Sequence, residues 1–383
     1  MDKVADDPGA IQDTKFEQER MLKSPFILNA WYVAAESEEI VVGKPLGRVI
    51  CGESIVFYRD RSGTCVALEN RCRHKSYPLD RSQVEGDDIR CGYHGFLWGP
   101  NGRCKQIPGQ DMIPPSARIR AYLTEDRHGW VWIWMGDPAL ADPADICDYH
   151  WLADPEWGAK RERLHVKANY RLIASNLLDL THLAFVHGTT IGNAAVIEHA
   201  AVTFERNEYE SKVIRWMTDV PPPASYIKAY GFQGNIDRWM IVHFSPPGFC
   251  RLYTGGAEAG TGIREGATVP HMGWRNLNAI TPETETTSHY FWGQAHNHDP
   301  QNATLTDLVF GQVRHAFQED QVVFEAQQVV MDQNRHLPQR ELNTAADAGA
   351  LHAMRVIDRL LARQHAGQNP VMRHTDLQWG PRF

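Results

Sequence analysis

Apolar residues come in short bursts over the first third of the chain. Arg48-Val49-Ile50-Cys51, Ser54-Ile55-Val56-Phe57-Tyr58 and Val66-Ala67-Leu68-Glu69 have the length and composition of strands. Asp60-Arg61-Ser62-Gly63 and Gly99-Pro100-Asn101-Gly102 supply turn residues between such segments. Residues 26–136 therefore predict a small all-β domain. Asp137-Pro138-Ala139-Leu140-Ala141-Asp142-Pro143 ends that pattern with two prolines and marks a domain boundary. Beyond it the period changes. Residues 174–187 carry a helical apolar pattern, 203–295 return to strand-like segments, and 304–333 and 346–364 predict long helices. In the last of these Leu351, Met354, Ile357, Leu360 and Leu361 recur at helical spacing. The expected class is α+β, with a tail at 1–24, an all-β domain at 25–140 and a mixed domain at 141–383.

Composition narrows this picture. A chain of 383 residues, 43% hydrophobic, can bury two ordinary cores. Runs such as Gly129-Trp130-Val131-Trp132-Ile133-Trp134 fall well short of the roughly 20 apolar residues of a membrane helix. The first 24 residues alternate charges and lack the apolar core of a signal peptide, so they read as a solvated or frayed tail of a cytoplasmic protein. Seven cysteines, an odd number, do not suggest a disulfide framework. Cys51, Cys65, Cys104, Cys147 and Cys250 stand singly and read as buried small hydrophobes. The net charge of -8 argues against nucleic acid as a partner. Locally, however, residues 71–105 hold seven basic side chains against four acidic ones, a mildly positive island.

That island surrounds the first candidate site. Cys72-x-His74 and Cys91-x2-His94 are separated by 16 residues, so each of two loops offers one thiolate and one imidazole. A zinc finger groups its cysteines and then its histidines. Here the arrangement lets two cysteines hold one iron and two histidines the other iron of a [2Fe-2S] unit; a structural zinc site is the alternative. Replacing two thiolates by neutral imidazoles raises such a cluster's potential to about -150 to +300 mV. A second constellation lies in Asn176-Leu177-Leu178-Asp179-Leu180-Thr181-His182-Leu183-Ala184-Phe185-Val186-His187. Asp179 and His182 share a helix face in this reading, and His187 follows just before Gly188. Ferrous iron that binds oxygen uses two histidines and one carboxylate and keeps positions open. The acidic pair Glu319-Asp320 interrupts an apolar helical pattern, and Asp320 is the candidate third ligand, with Glu319 and Glu325 as competitors.

These motifs resemble the Rieske non-heme iron oxygenases. The loop pattern is trailed by Gly102-x-Cys104 and Ile107-Pro108-Gly109-Gln110. Asn176-x2-Asp179-x2-His182-x4-His187 and Glu319-Asp320-x-Val322-Val323-x-Glu325-Ala326 resemble the iron-binding segments. Asn29-Ala30-Trp31-Tyr32-Val33-Ala34-Ala35, Trp132-Ile133-Trp134-Met135-Gly136-Asp137-Pro138 and Thr281-Pro282-Glu283-Thr284-Glu285 are similar to the branch of vanillate O-demethylase, dicamba O-demethylase and toluenesulfonate methyl-monooxygenase oxygenase components. The resemblance implies an N-terminal all-β Rieske domain, then an antiparallel-sheet domain flanked by helices that carries the mononuclear Fe(II). It implies that Asp179 hydrogen-bonds His182 on one side and His94 of a neighbouring copy on the other, hence a homotrimeric ring. Asn176 would donate a hydrogen bond near the iron. The implied activity is O2-dependent O-demethylation, N-dealkylation or methyl hydroxylation of an aromatic acid or related compound. Ring dihydroxylation and a non-catalytic electron-transfer role are the alternatives. No Gly-x-Gly-x2-Gly fingerprint occurs, so electrons from NAD(P)H arrive through a separate flavin or ferredoxin-type reductase. Arg238, His243, Arg275, Asn278 and His296 are candidate anchors for an anionic group.

Overall fold

The computed structural model describes residues 17–188, 190–338, 341–368 and 370–372. They form two compact units, one running to Ile146 and taking in the chain again from Arg359, the other Cys147–Asp358. Part of the stretch expected to fray lies outside the described residues, but 17–23 form a helix, α1. There Met21 is buried and Arg20 pairs with Glu17 and with Glu53.

The first unit is all-β apart from its helical ends. Its strands are β1 (Ala30–Glu36), β2 (Leu46–Ile50), β3 (Glu53–Arg59), β4 (Cys65–Glu69), β5 (Gln83–Glu85), β6 (Asp88–Arg90), β7 (Leu97–Trp98), β8 (Cys104–Gln106), β9 (Ala121–Tyr122), β10 (Thr124–Arg127) and β11 (Trp130–Met135). They make three antiparallel sheets, in the orders β1-β11-β10, β2-β3-β4-β9 and β5-β6-β7-β8. The aromatic run of β11 is buried throughout because that strand is the middle one of its sheet, which explains why it shows no polar alternation. One core cluster joins Val56, Tyr58 and Leu68 to Ile89, Trp98 and the two cysteines Cys72 and Cys91.

The second unit is built on one seven-stranded antiparallel sheet. Its strands are β12 (Gly158–Val166), β13 (Ala200–Arg206), β14 (Ser211–Val220), β15 (Ile236–Ser245), β16 (Phe249–Glu258), β17 (Met272–Thr284) and β18 (Thr287–His296), in the order β12-β18-β17-β16-β15-β14-β13. Its helices are α2 (Tyr170–Leu178), α3 (Ala195–Glu198), α4 (Ala224–Tyr230), α5 (Ala303–Gln333) and α6 (Ala348–His365), the last running on into the first unit. The α2 helix packs on β15, β16 and β17, and α5 on β12 and β18. Residues alternate across the sheet, so Arg238 and Met240 on β15, Leu252 and Thr254 on β16, and Trp274 and Asn276 on β17 share one face. The register sets Met240 beside Thr254, Thr254 beside Trp274, and Asn276 beside both Leu252 and Gln294. No described helix is long and apolar enough to cross a membrane.

The continuous helix expected over 174–187 is two pieces. The α2 helix stops at Leu178, Asp179 is extended (φ -113°, ψ 97°), and a 3-10 helix follows over Leu180–Ala184. The Asp179 carboxylate accepts from the Thr181 N–H at 3.0 Å and the Thr181 hydroxyl at 2.8 Å. That local cap competes with continuing the helix.

Candidate metal centres and substrate cavity

The two Cys/His loops have the same backbone. Cys72 N–H donates to the Tyr77 carbonyl at 2.9 Å and Cys91 N–H to the Phe96 carbonyl at 2.8 Å. Ser76 N–H closes back on the Cys72 carbonyl at 2.9 Å, and Gly95 N–H on that of Cys91 at 3.0 Å. Ser76 and Gly95, each four residues after its cysteine, both have positive φ, 53° and 74°. The turn needs a left-handed residue there, which glycine adopts freely and serine does not. Cys72 and Cys91 are each only 2% exposed, whereas His74 and His94 are exposed, their rings 4.5 Å apart. Phe96 stacks on His74 at 4.8 Å.

Several observations fit a sulfur-bridged iron pair here. Burial, reinforced by neighbouring Cys91, pushes the Cys72 thiol up to about 11. Thiolates so enclosed form only against a cation. The buried Trp98 indole N–H sits beside Cys72 and draws its thiol slightly the other way, as a donor to an anionic sulfur group would. Among the described residues, His182, His187 and Asp320 are grouped closely enough to hold a single ion.

The second centre converges on one oxygen. His187 Nε2 lies 3.1 Å and His182 Nε2 3.6 Å from Asp320 Oδ1. Both outer nitrogens are held: His187 Nδ1 donates to Glu319 Oε2 at 2.7 Å, and His182 Nδ1 to the Asp179 backbone carbonyl at 2.7 Å. These partners fix the tautomer that leaves each Nε2 lone pair facing inward, the usual support for a metal-binding histidine. Two nitrogens and one carboxylate oxygen fit a mononuclear iron with open positions. Asn176 Nδ2 donates to the same Asp320 oxygen at 3.4 Å. The imidazoles differ electrically. Burial lowers the pKa of His182, with Asp320 opposing, while for His187 burial is outweighed by Asp320 and Glu319 and the pKa rises.

A cavity opens on this triad. Leu177, Leu180, Leu183, Val313 and Phe317 wall the helix side, and Met240, Leu252, Thr254, Trp274, Asn276 and Gln294 the sheet side. The loop after His187 is tied down by Thr190 and Gly192, whose N–H groups donate to the His187 carbonyl at 3.0 and 3.1 Å. A Cβ at Gly192 would strike the Leu183 carbonyl. Gly192→Ala is expected to cost about 1–3 kcal/mol, read as a lower chemical-denaturation midpoint; an unchanged midpoint would show that this packing is unimportant.

Residues 30–118 match the family of the Rieske [2Fe-2S] domain, and residues 166–363 match the vanillate O-demethylase oxygenase C-terminal domain. The chain belongs to the vanillate O-demethylase branch of the Rieske oxygenases. It is 43% identical to the iron-sulfur subunit of the toluene-4-sulfonate monooxygenase system of Comamonas testosteroni, over 90% of this chain and all of that relative. Its fold matches a crystal structure of dicamba monooxygenase bound to 3,6-dichlorosalicylic acid, with TM-score 0.83 and 28% identity over 89% of this chain and 99% of the other. A further structure of that enzyme, with non-heme iron and dicamba, matches over the same shares with TM-score 0.73 and 28% identity. As a Rieske oxygenase component, the chain is an oxidoreductase that draws electrons from a separate partner.

The Rieske oxygenase fold brings Asn176, His182, His187 and Asp320 to one cavity. Of the competing carboxylates, Glu319 supports His187 from outside, while Glu325 accepts from the Lys167 N–H and from Gln321, away from the triad. Within the chain the expected link from Asp179 to His182 comes from the backbone carbonyl. The carboxylate instead caps Thr181 and lies 3.5 Å from Arg215. Among the five anchor candidates Arg238 alone lines the cavity. His243 and Arg275 sit on the opposite sheet face, where Arg275 is enclosed by Trp151, Trp157 and Tyr253. Asn278 binds Cys250 and Tyr290, and His296 binds His298 and Thr306. The wall residues of β16 and β17 escaped sequence reading. Strand-like segments were visible there, but not which face meets the helices.

Proposed function

We propose that this oxygenase inserts one oxygen atom from O2 into an alkyl substituent of a small aromatic compound, as O-demethylation, N-dealkylation or methyl hydroxylation. In this reading Cys72, His74, Cys91 and His94, in the domain at 25–140, hold the [2Fe-2S] cluster. His182, His187 and Asp320, in the domain at 141–383, hold the iron. The observation that carries the proposal is the convergence of both Nε2 atoms on Asp320 Oδ1 at the wall of a mostly apolar cavity.

When bound, the iron supplies the redox centre at which O2 is reduced with electrons passed from the cluster. The chain's own residues do the rest. Glu319 and the Asp179 carbonyl keep the two imidazoles from rotating, and Asn176 holds the Asp320 carboxylate. Leu177, Leu183, Phe317 and Trp274 exclude water and hold an aromatic ring by its faces. The exposed His74 and His94 form the electron entry and exit of the cluster. Asp179, whose carboxylate faces Arg215, relays to His94 of a neighbouring copy in a homotrimer. The reductase is NAD(P)H-dependent, and the protein works in the cytoplasm.

The test is metal and sulfide analysis of anaerobically purified protein, followed by oxygen uptake with a reductase and a panel of methyl-, methoxy- and N-alkyl-substituted aromatics. A Rieske spectrum and a product carrying one new oxygen at the substituent are expected. A cis-diol product would instead mean ring dioxygenation, and a colourless zinc protein would end the oxygenase assignment of these residues.

A further inference from the structure

We infer that Arg238 anchors an anionic group of the substrate, so that the cavity selects aromatic carboxylates or sulfonates over neutral aromatics. The inference rests on reading the cavity as the substrate site. Arg238 is 1% exposed and lines the same cavity as His182, His187 and Asp320. Its guanidinium has five N–H donors. Nη2 donates to the Ile191 carbonyl at 3.1 Å and Nη1 to Asn193 Oδ1 at 3.5 Å, while Nε has no acceptor. The Tyr226 ring lies 4.9 Å away.

All of these partners are neutral. Buried Arg48 has Glu39 at 2.9 Å, and Arg215 has Asp179 at 3.5 Å; Arg238 forms no ion pair among the described residues. A buried cation without an anion is costly to maintain, and a ligand that brings the anion offsets that cost. Asp320, the carboxylate in this cavity, is already committed to two imidazoles and Asn176. Opposite Arg238 on β16 stands Gly256. A Cβ there would press on Ile236, so the glycine leaves room for that side chain next to the arginine's strand position.

The planar fork of an arginine suits a carboxylate or sulfonate, which can take two parallel N–H bonds. With the charge held at Arg238 and the ring against Met240, Leu252 and Trp274, an alkyl substituent is left to face the triad.

The experiment is calorimetric titration of the iron-loaded enzyme with 4-methylbenzoate, toluene-4-sulfonate and the neutral 4-methylbenzamide. Wild type is expected to bind both acids at least about tenfold more tightly than the amide, the scale of one charge-assisted hydrogen bond. Arg238→Met should abolish that preference. Equal binding of acids and amide by wild type, or a preference that survives in Arg238→Met, overturns the inference. Should that variant not fold, Arg238→Lys carries the test. It is expected to keep the charge but lose part of the preference with the fork, and an undiminished preference overturns the assignment. Binding is read without turnover, which separates the two proposals. Acid preference without oxygen-coupled product would sink the oxygenase substrate reading and leave the anchor; equal oxidation and binding of acid and amide would do the reverse.

Discussion

Asp320→Ala is expected to purify with its Rieske spectrum intact but without the mononuclear iron, and to give no substrate-coupled oxygen uptake. The side chain is 3% exposed, and its Oδ1 is the meeting point of His182, His187 and Asn176. The neighbouring Glu319 is not free to take its place, being bound to the far nitrogen of His187 at 2.7 Å. Alanine therefore leaves two imidazoles and no anion, a poor site for ferrous iron. Glu319→Gln makes the graded control. It keeps all three ligands and weakens only the support of His187, so iron affinity should fall by about 10–100-fold rather than vanish. Iron content per chain, beside acid-labile sulfide, reads both variants. Full iron in Asp320→Ala would remove that residue from the ligand set.

Cys91→Ser is the second large effect. It should cost the cluster, bleach the visible spectrum and lower the stability of the first unit, while iron in the second unit is retained. The reason is position: Cys72 and Cys91 belong to the core cluster of Trp98, Ile89 and Leu68, so losing a cluster held by them would leave buried polar atoms unsatisfied in that core. His94→Ala, by contrast, changes an exposed side chain. It should damage the cluster with a much smaller change in denaturation midpoint. Equal midpoint losses in the two variants would contradict this division between an inner and an outer side.

How far the sequence could be read depended on whether the signal was local. The loop motif was legible because its spacing alone separates it from a zinc finger, and the strands 48–51, 54–58 and 66–69 fall within or at the ends of β2, β3 and β4. The helix over 304–333 was legible from its period and is α5 to within a residue. Its acidic pair was visible, but which member turns inward depends on how α5 rolls against β12 and β18, and that is a tertiary matter. The helix over 174–187 misled for a physical reason. Its apolar spacing is helical, yet Asp179 offers its own side chain to the Thr181 N–H and turns the chain there, which also aims the Asp179 carbonyl at His182. The anion-anchor candidates shared a composition but not a face. Arg238 and Arg275 were separable only once strand register was known.

The triad comes from the segment 182–187 and from α5, while much of the cavity's opposite wall comes from alternate residues of β15, β16, β17 and β18. Reactivity and selectivity are thus encoded in separable stretches of chain. Diversification under selection for new aromatic compounds can rewrite one side of four neighbouring strands while the residues that make the reagent stay fixed. A library confined to positions 238, 240, 252, 254, 274 and 276 would sample new specificities on an unaltered reactive centre.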